Sequence, residues 1–84
     1  MKKYYITFRS VTYAQRGERI LKRSGMDCLL RRTPRVLAQS GCGYCLQIRA
    51  ADVSEAMALL HGAQLQYGKV YAMEHSGSYE EIGV

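Results

Sequence analysis

Two cysteines carry the chemistry that this sequence offers. Cys42 stands between Gly41 and Gly43, Cys45 follows Tyr44, and Thr33-Pro34-Arg35 and Ser40 lie just upstream. The thiolate is the nucleophilic form of cysteine, and nearby cations lower the thiol pKa. Arg31, Arg32 and Arg35 are the cations at hand, and Arg35 sits behind the only proline of the chain. Glycines on either side of Cys42 leave its sulfur open to close approach by a partner. Such a cysteine suits attack on a sulfane-sulfur or selenium donor, storage of the atom as a persulfide or selenosulfide, and release to another nucleophile. Cys42 is therefore the candidate carrier thiol, Arg35 the candidate stabiliser of its thiolate and Cys45 the candidate resolving thiol. Thr33, Pro34, Ser40, Gly41 and Gly43 are the candidate binding residues of the loop.

Other chemistries compete for the same residues. Cys42-Gly43-Tyr44-Cys45 has the spacing of a dithiol pair that cycles through a disulfide. In such pairs the first cysteine usually opens a helix whose dipole lowers its pKa, whereas here a strand pattern follows. A structural zinc would need two more ligands, and Cys28, His61 and His75 show no paired ligand spacing, so no metal is expected. Cys28, beside Leu29 and Leu30, reads as a packing residue. His61 and His75 lack evident partners, and no hydrolase constellation, phosphate-binding glycine loop or cofactor signature stands out.

The rest of the chain has to position that loop. Its 84 residues suffice for a single domain spanning 1–84, with 74–84 reading as a flexible tail. An apolar fraction of 48% argues against disorder. No apolar run approaches the length of a bilayer span, and an odd count of three cysteines fits free thiols in a reducing compartment, so the expected location is cytoplasmic. A net charge of +5 suits an anionic partner or solubility alone.

Tyr4, Ile6 and Phe8 alternate with Tyr5, Thr7 and Arg9, the period of a strand with one buried face. A capping box at Thr12–Gln15 starts a helix over Tyr13–Ser24, which Gly25 ends in a left-handed cap. Cys28–Arg31 is a short strand, and Val36–Gln39 supplies a helical turn after Pro34. Alternation resumes from Tyr44 to Arg49. Asp52–Glu55 is a second capping box, opening a helix that Gly62 terminates, and Tyr67–Met73 is a last strand. The order strand, helix, strand, strand, helix, strand predicts an α+β fold. It is a ferredoxin-like split βαβ sandwich, with a four-stranded antiparallel sheet and both helices on one face.

That arrangement leaves Tyr5, Thr7, Arg9, Cys45, Gln47, Arg49, Tyr67, Lys69 and Tyr71 on an open sheet face. Aromatic and cationic residues there permit base stacking, as in RNA-recognition modules, although their Gly-Phe-rich signature strand is missing. Packing of two such faces in a homodimer is the preferred expectation.

The chain also resembles the selenium/sulfur (Se/S) carrier protein-like family. Phe8-x-Ser10 leading to Ala14-x-x-Gly17-Glu18-x-x-Leu21-Lys22 is similar to its opening strand and helix. Thr33-Pro34-Arg35 followed by Ser40-x-Cys42-Gly43 resembles its central motif. Gly17 stands where that helix usually has alanine, and Ala38 where a serine is common. The resemblance implies a carrier in selenium or sulfur trafficking, with Cys42 as the carrying residue. Donor and acceptor proteins are then its partners, and a carrier is expected rather than a turnover enzyme. The alternatives are a redox module cycling Cys42 with Cys45, or an RNA-binding sheet.

Overall fold

A computed structural model describes residues 2–40, 43–74 and 77–82, without the side chains of residues 39 and 40. In chain order its elements are β1 (Lys3–Thr7), α1 (Val11–Arg23), β2 (Leu29–Arg32), a 3₁₀ helix (Arg35–Ser40) and β3 (Tyr44–Arg49). A short 3₁₀ turn (Ala50–Asp52), α2 (Val53–Gly62), β4 (Val70–Met73) and β5 (Tyr79–Ile82) follow. The strands form one sheet in the order β2-β3-β1-β4-β5, each neighbouring pair antiparallel.

The two periodicities of the sequence meet in one core. Ile6 of β1 and Phe8 just after it, Leu46 and Ile48 of β3, and Val70 of β4 pack with Ala14 and Leu21 of α1 and Ala56, Met57 and Leu60 of α2. Both helices thus lie on one face of the sheet, as alternation predicts. Gly17 belongs to the same contact. A Cβ added there would come within 3.0 Å of Phe8 Cζ and 3.1 Å of a Leu46 methyl, so the Phe8 ring fills the space an alanine would take.

The helix ends correct several expectations. Ser10, not Thr12, caps α1: its extended backbone lets Oγ accept from Tyr13 N–H at 3.3 Å. Asp52 precedes α2 without capping it through its side chain, because its carboxylate takes the Arg49 guanidinium at 3.0 Å instead. Gly25 closes α1 as expected, at φ +81°, with Met26 N–H donating to Leu21 O and Gly25 N–H to Lys22 O. Gly62 does not terminate α2. It is the last helical residue, and Gln64 takes the left-handed position at φ +57°, closing the same pair of bonds to Leu60 and His61.

The sheet has five strands where the sequence predicts four. Residues 79–82 come from the tail expected to be loose, and they pair along β4 from Val70↔Ile82 to Met73↔Tyr79. Both faces hold this short strand: Ile82 packs against the helix-side core, and Tyr79 meets the Tyr5 ring edge-on at 5.6 Å.

The face opposite the helices is not open at its centre. Tyr5, Cys45 and Leu37 are buried together, with Tyr71, Met73 and Tyr79 packed beside them. Leu37 comes from the 3₁₀ helix and Tyr79 from β5, so two segments read as minor cover what a four-stranded sheet would leave exposed. Tyr67 leaves the expected set altogether. It packs on the helix side, where its ring stacks on His61 at 5.6 Å and its hydroxyl lies 3.0 Å from His61 Nε2. His61 therefore has a partner that the sequence did not reveal. No helix among the described residues is long and apolar enough to cross a membrane.

Candidate functional site

Cys42 and Gly41 lie outside the described residues, and so does the side chain of Ser40. The frame on either side of them is defined. Thr33 is buried at the end of β2, and its N–H donates to the Gly43 carbonyl at 2.8 Å. Pro34 then accepts from Leu37 N–H at 2.8 Å, starting the 3₁₀ helix at the position where a fixed φ is favourable. The sequence Thr33-Pro34-Arg35 is thus the hinge that turns the chain from β2 into a segment lying over the helix-free face.

The cations near this frame have different attachments. Arg31 donates to Gln47 Oε1 at 2.7 Å, and its guanidinium lies 5.6 Å from the Tyr5 ring centre. Arg32 lies 5.7 Å over the Tyr44 ring, and one of its terminal nitrogens is 3.7 Å from where a Cβ of Gly43 would stand. Arg35 is exposed on the first residue of the 3₁₀ helix and has no ion pair or hydrogen bond among the described residues. Of the three, Arg32 is the cation seen against the residue that follows Cys42.

Cys45 is fully buried in β3, directly across from Thr7 in β1 and Arg31 in β2. It belongs to the cluster under Leu37 and Tyr5. Tyr5 is 2% exposed, its hydroxyl lies 3.8 Å from Met73 Sδ, and burial with Tyr79 nearby pushes its pKa above the usual tyrosine value. A buried Tyr5 cannot serve as a stacking platform for a base. Cys28 is half-buried. Its thiol lies 3.9 Å from the Glu18 carbonyl, and burial followed by the Glu18 charge raises its pKa, which makes it a poor nucleophile. Among the described residues no three His, Cys, Asp or Glu side chains gather as a metal site would require.

Sequence reasoning missed two parts of this site. Leu37 was one residue of an undistinguished turn, and Tyr79 one of a tail. Tyr79-Glu80-Glu81-Ile82 does not alternate, so the sequence carries no periodic signal for this strand.

The frame around Gly43, with its cysteine loop and basic flank, coincides with the match of the chain to a family model. That model is described as "Putative Se/S carrier protein-like" and covers residues 3–72. The chain belongs to this Se/S carrier protein-like family. The matched span runs from the first residue of β1 to the third of β4, so it takes in both helices, the Thr33-Pro34 hinge and the cysteine loop. It stops short of β5, the strand that brings Tyr79 over Tyr5. No curated protein and no solved structure matches the chain.

Proposed function

We propose that this protein is a sulfur or selenium carrier that loads the atom on Cys42 and hands it to an acceptor protein. In loading, the Cys42 thiolate attacks the outer sulfur of a sulfane donor. The donor's S–S bond breaks as the new one forms, and the donor leaves as a thiolate. Delivery is the reverse exchange with an acceptor thiolate, so no net oxidation occurs. The observation that carries this reading is the Thr33–Gly43 hydrogen bond. It ties the base of the cysteine loop to the Pro34 hinge and sets Arg32 beside Gly43. Arg32 and Arg35 then hold the thiolate and the charged adduct, and the glycines at 41 and 43 give a partner access.

Family membership supports donor and acceptor proteins as the partners, and the thiol chemistry suits a reducing compartment such as the cytoplasm. The order β2-β3-β1-β4 supports a ferredoxin-like split βαβ core, to which β5 adds an edge. The face that a second copy would have covered is already covered within the chain at Tyr5 and Cys45. Cys45, the candidate resolving thiol, is fully buried in a cluster with Tyr5 and Leu37.

Intact-protein mass spectrometry after incubation with a sulfane-sulfur donor, or with selenite and thiol, tests the proposal. A gain of sulfur or selenium that disappears in Cys42→Ser and persists in Cys45→Ser is expected. Loss of two hydrogens that needs both cysteines would replace the carrier with a redox module.

A further inference from the structure

A cleft of about 360 Å³ opens beyond the end of β1, lined by Thr7, Phe8, Arg9, Gln66, Tyr67 and Lys69, with Gly68 between the last two. Its walls are held in place without any ligand. Thr7 N–H donates to Lys69 O at 2.9 Å, and Thr7 Oγ1 accepts from Lys69 N–H at 2.8 Å. Gly68 N–H donates to Thr7 O at 2.7 Å. The two backbones are so close that a Cβ on Gly68 would lie 2.6 Å from Thr7 Oγ1. Tyr67 is fixed from behind by His61, and Arg9 is steadied 5.5 Å over the Tyr13 ring.

The lining specifies a ligand class. Arg9 and Lys69 supply two positive charges, Gln66 an amide, and the half-buried Tyr67 an apolar wall. Lys69 already meets Glu81 at 3.5 Å, but both side chains of that pair are more than half exposed, which makes it weak and exchangeable. The volume falls at the lower end of the range of ~300–1,000 Å³ typical of small-molecule sites. It is larger than a simple inorganic anion needs. An anionic metabolite with a short apolar body fits.

Its position adds the chemistry. β1 ends and β3 begins at the same end of the sheet, and Thr7 of the cleft pairs with Cys45, three residues after Cys42. Neighbouring strands are ~4.8 Å apart, so the cleft lies within one or two strand spacings of the Gly43 end of β3. We propose that the cleft seats a carboxylate-bearing low-molecular-weight thiol or its persulfide, the small-molecule partner that exchanges sulfur with Cys42. Size and charge rest on the cleft alone, and the exchange rests on the carrier reading. Carboxylates pair with Arg9 and Lys69, and the aliphatic part lies along Tyr67. In the exchange, the Cys42 thiolate attacks the outer sulfur of R–S–SH. The donor's S–S bond breaks, the protonated outer sulfur passes to Cys42, and R–S⁻ departs.

The test separates binding from exchange by using S-methylglutathione, which carries the carboxylates and has no thiol. Titrated into the full chain, it should move the backbone amide resonances of Thr7, Tyr67, Gly68 and Lys69 saturably. Affinity should fall about ten-fold in Arg9→Gln and in Lys69→Gln, each of which removes a charge-assisted hydrogen bond, and should be unchanged in Cys42→Ser. Glutathione persulfide should load Cys42 in the wild type more slowly once S-methylglutathione fills the cleft. Absent shifts, or shifts indifferent to both charge substitutions, overturn the cleft even where inorganic polysulfide still loads Cys42. Saturable shifts with no loading of Cys42 by any donor overturn the exchange and the carrier reading with it.

Discussion

Leu37 and Cys45 are buried in one cluster with Tyr5, and the two residues reach it from opposite sides of the cysteine loop. Leu37 belongs to the 3₁₀ helix that Pro34 starts, Cys45 to the strand that Gly43 leads into, and the Thr33–Gly43 hydrogen bond closes the frame between them. The cover over Cys45 is therefore part of the loop that carries Cys42.

Leu37→Ala should uncover the Cys45 thiol while leaving the helix-side core intact. Removing a buried leucine side chain costs ~2 kcal/mol or more at a site that collapses little. In the folded wild type, alkylation followed by peptide mapping should modify Cys45 very slowly. The variant should react at least about ten-fold faster at Cys45, with no change at Cys28. Equal rates in the two proteins would mean that Leu37 does not guard the thiol.

Gly17→Ala should destabilise the protein, although alanine is the better helix former by ~1 kcal/mol. The added methyl meets the Phe8 ring and a Leu46 methyl at 3.0–3.1 Å, and overpacking of this kind costs ~1–3 kcal/mol. Urea unfolding should therefore give a net loss of roughly 1 kcal/mol. Combined with Phe8→Leu, which empties that space, the loss should be clearly less than the sum of the two single changes. Strict additivity would contradict the contact.

Gln64→Gly should stabilise it. Gln64 holds φ +57° to close α2, a conformation that costs a side-chain-bearing residue ~1 kcal/mol, partly offset by the extra freedom glycine has when unfolded. A net gain of about 0.5 kcal/mol corresponds to a rise in Tm of about 2–4 °C for a domain of this size.

Stability should fall at alkaline pH. The Tyr5 pKa is raised above 10.0 by burial and by Tyr79, and that of Cys28 above 9.0 by burial and by Glu18. A raised folded-state pKa means that the folded chain holds its proton longer than the unfolded chain. The stabilisation is complete below 9.0 for Cys28 and 10.0 for Tyr5, and is lost as pH rises through the higher folded values. Unfolding free energies measured across that window should decline, and Tyr5→Phe should flatten the part that begins near 10.0. An unchanged slope in that variant would assign the decline elsewhere.

The sequence by itself determined the α+β order, both helices on one face, and the residues of the main core. Those features follow from local periodicity: Ile6, Leu46 and Val70 must share a face because strand side chains alternate, and Ala14, Gly17 and Leu21 must share one because helical side chains recur each turn. It also singled out the Thr33-Pro34-Arg35 hinge and the cysteine between glycines, because proline and glycine carry their backbone preferences with them. The five-stranded sheet with a covered aromatic face departs from the expected four open strands for a different reason. Whether Tyr5 and Cys45 are exposed depends on where Leu37 and Tyr79 come to rest, and neither short segment has a periodic pattern long enough to announce its partner. Ser10 against Thr12, Gln64 against Gly62, and Asp52 turned to Arg49 were likewise decided by which polar group each reaches once the core has set the helices in place. Tertiary contact alone gathered Thr7, Arg9, Tyr67 and Lys69 around one cleft, since their closeness comes from pairing between distant parts of the chain.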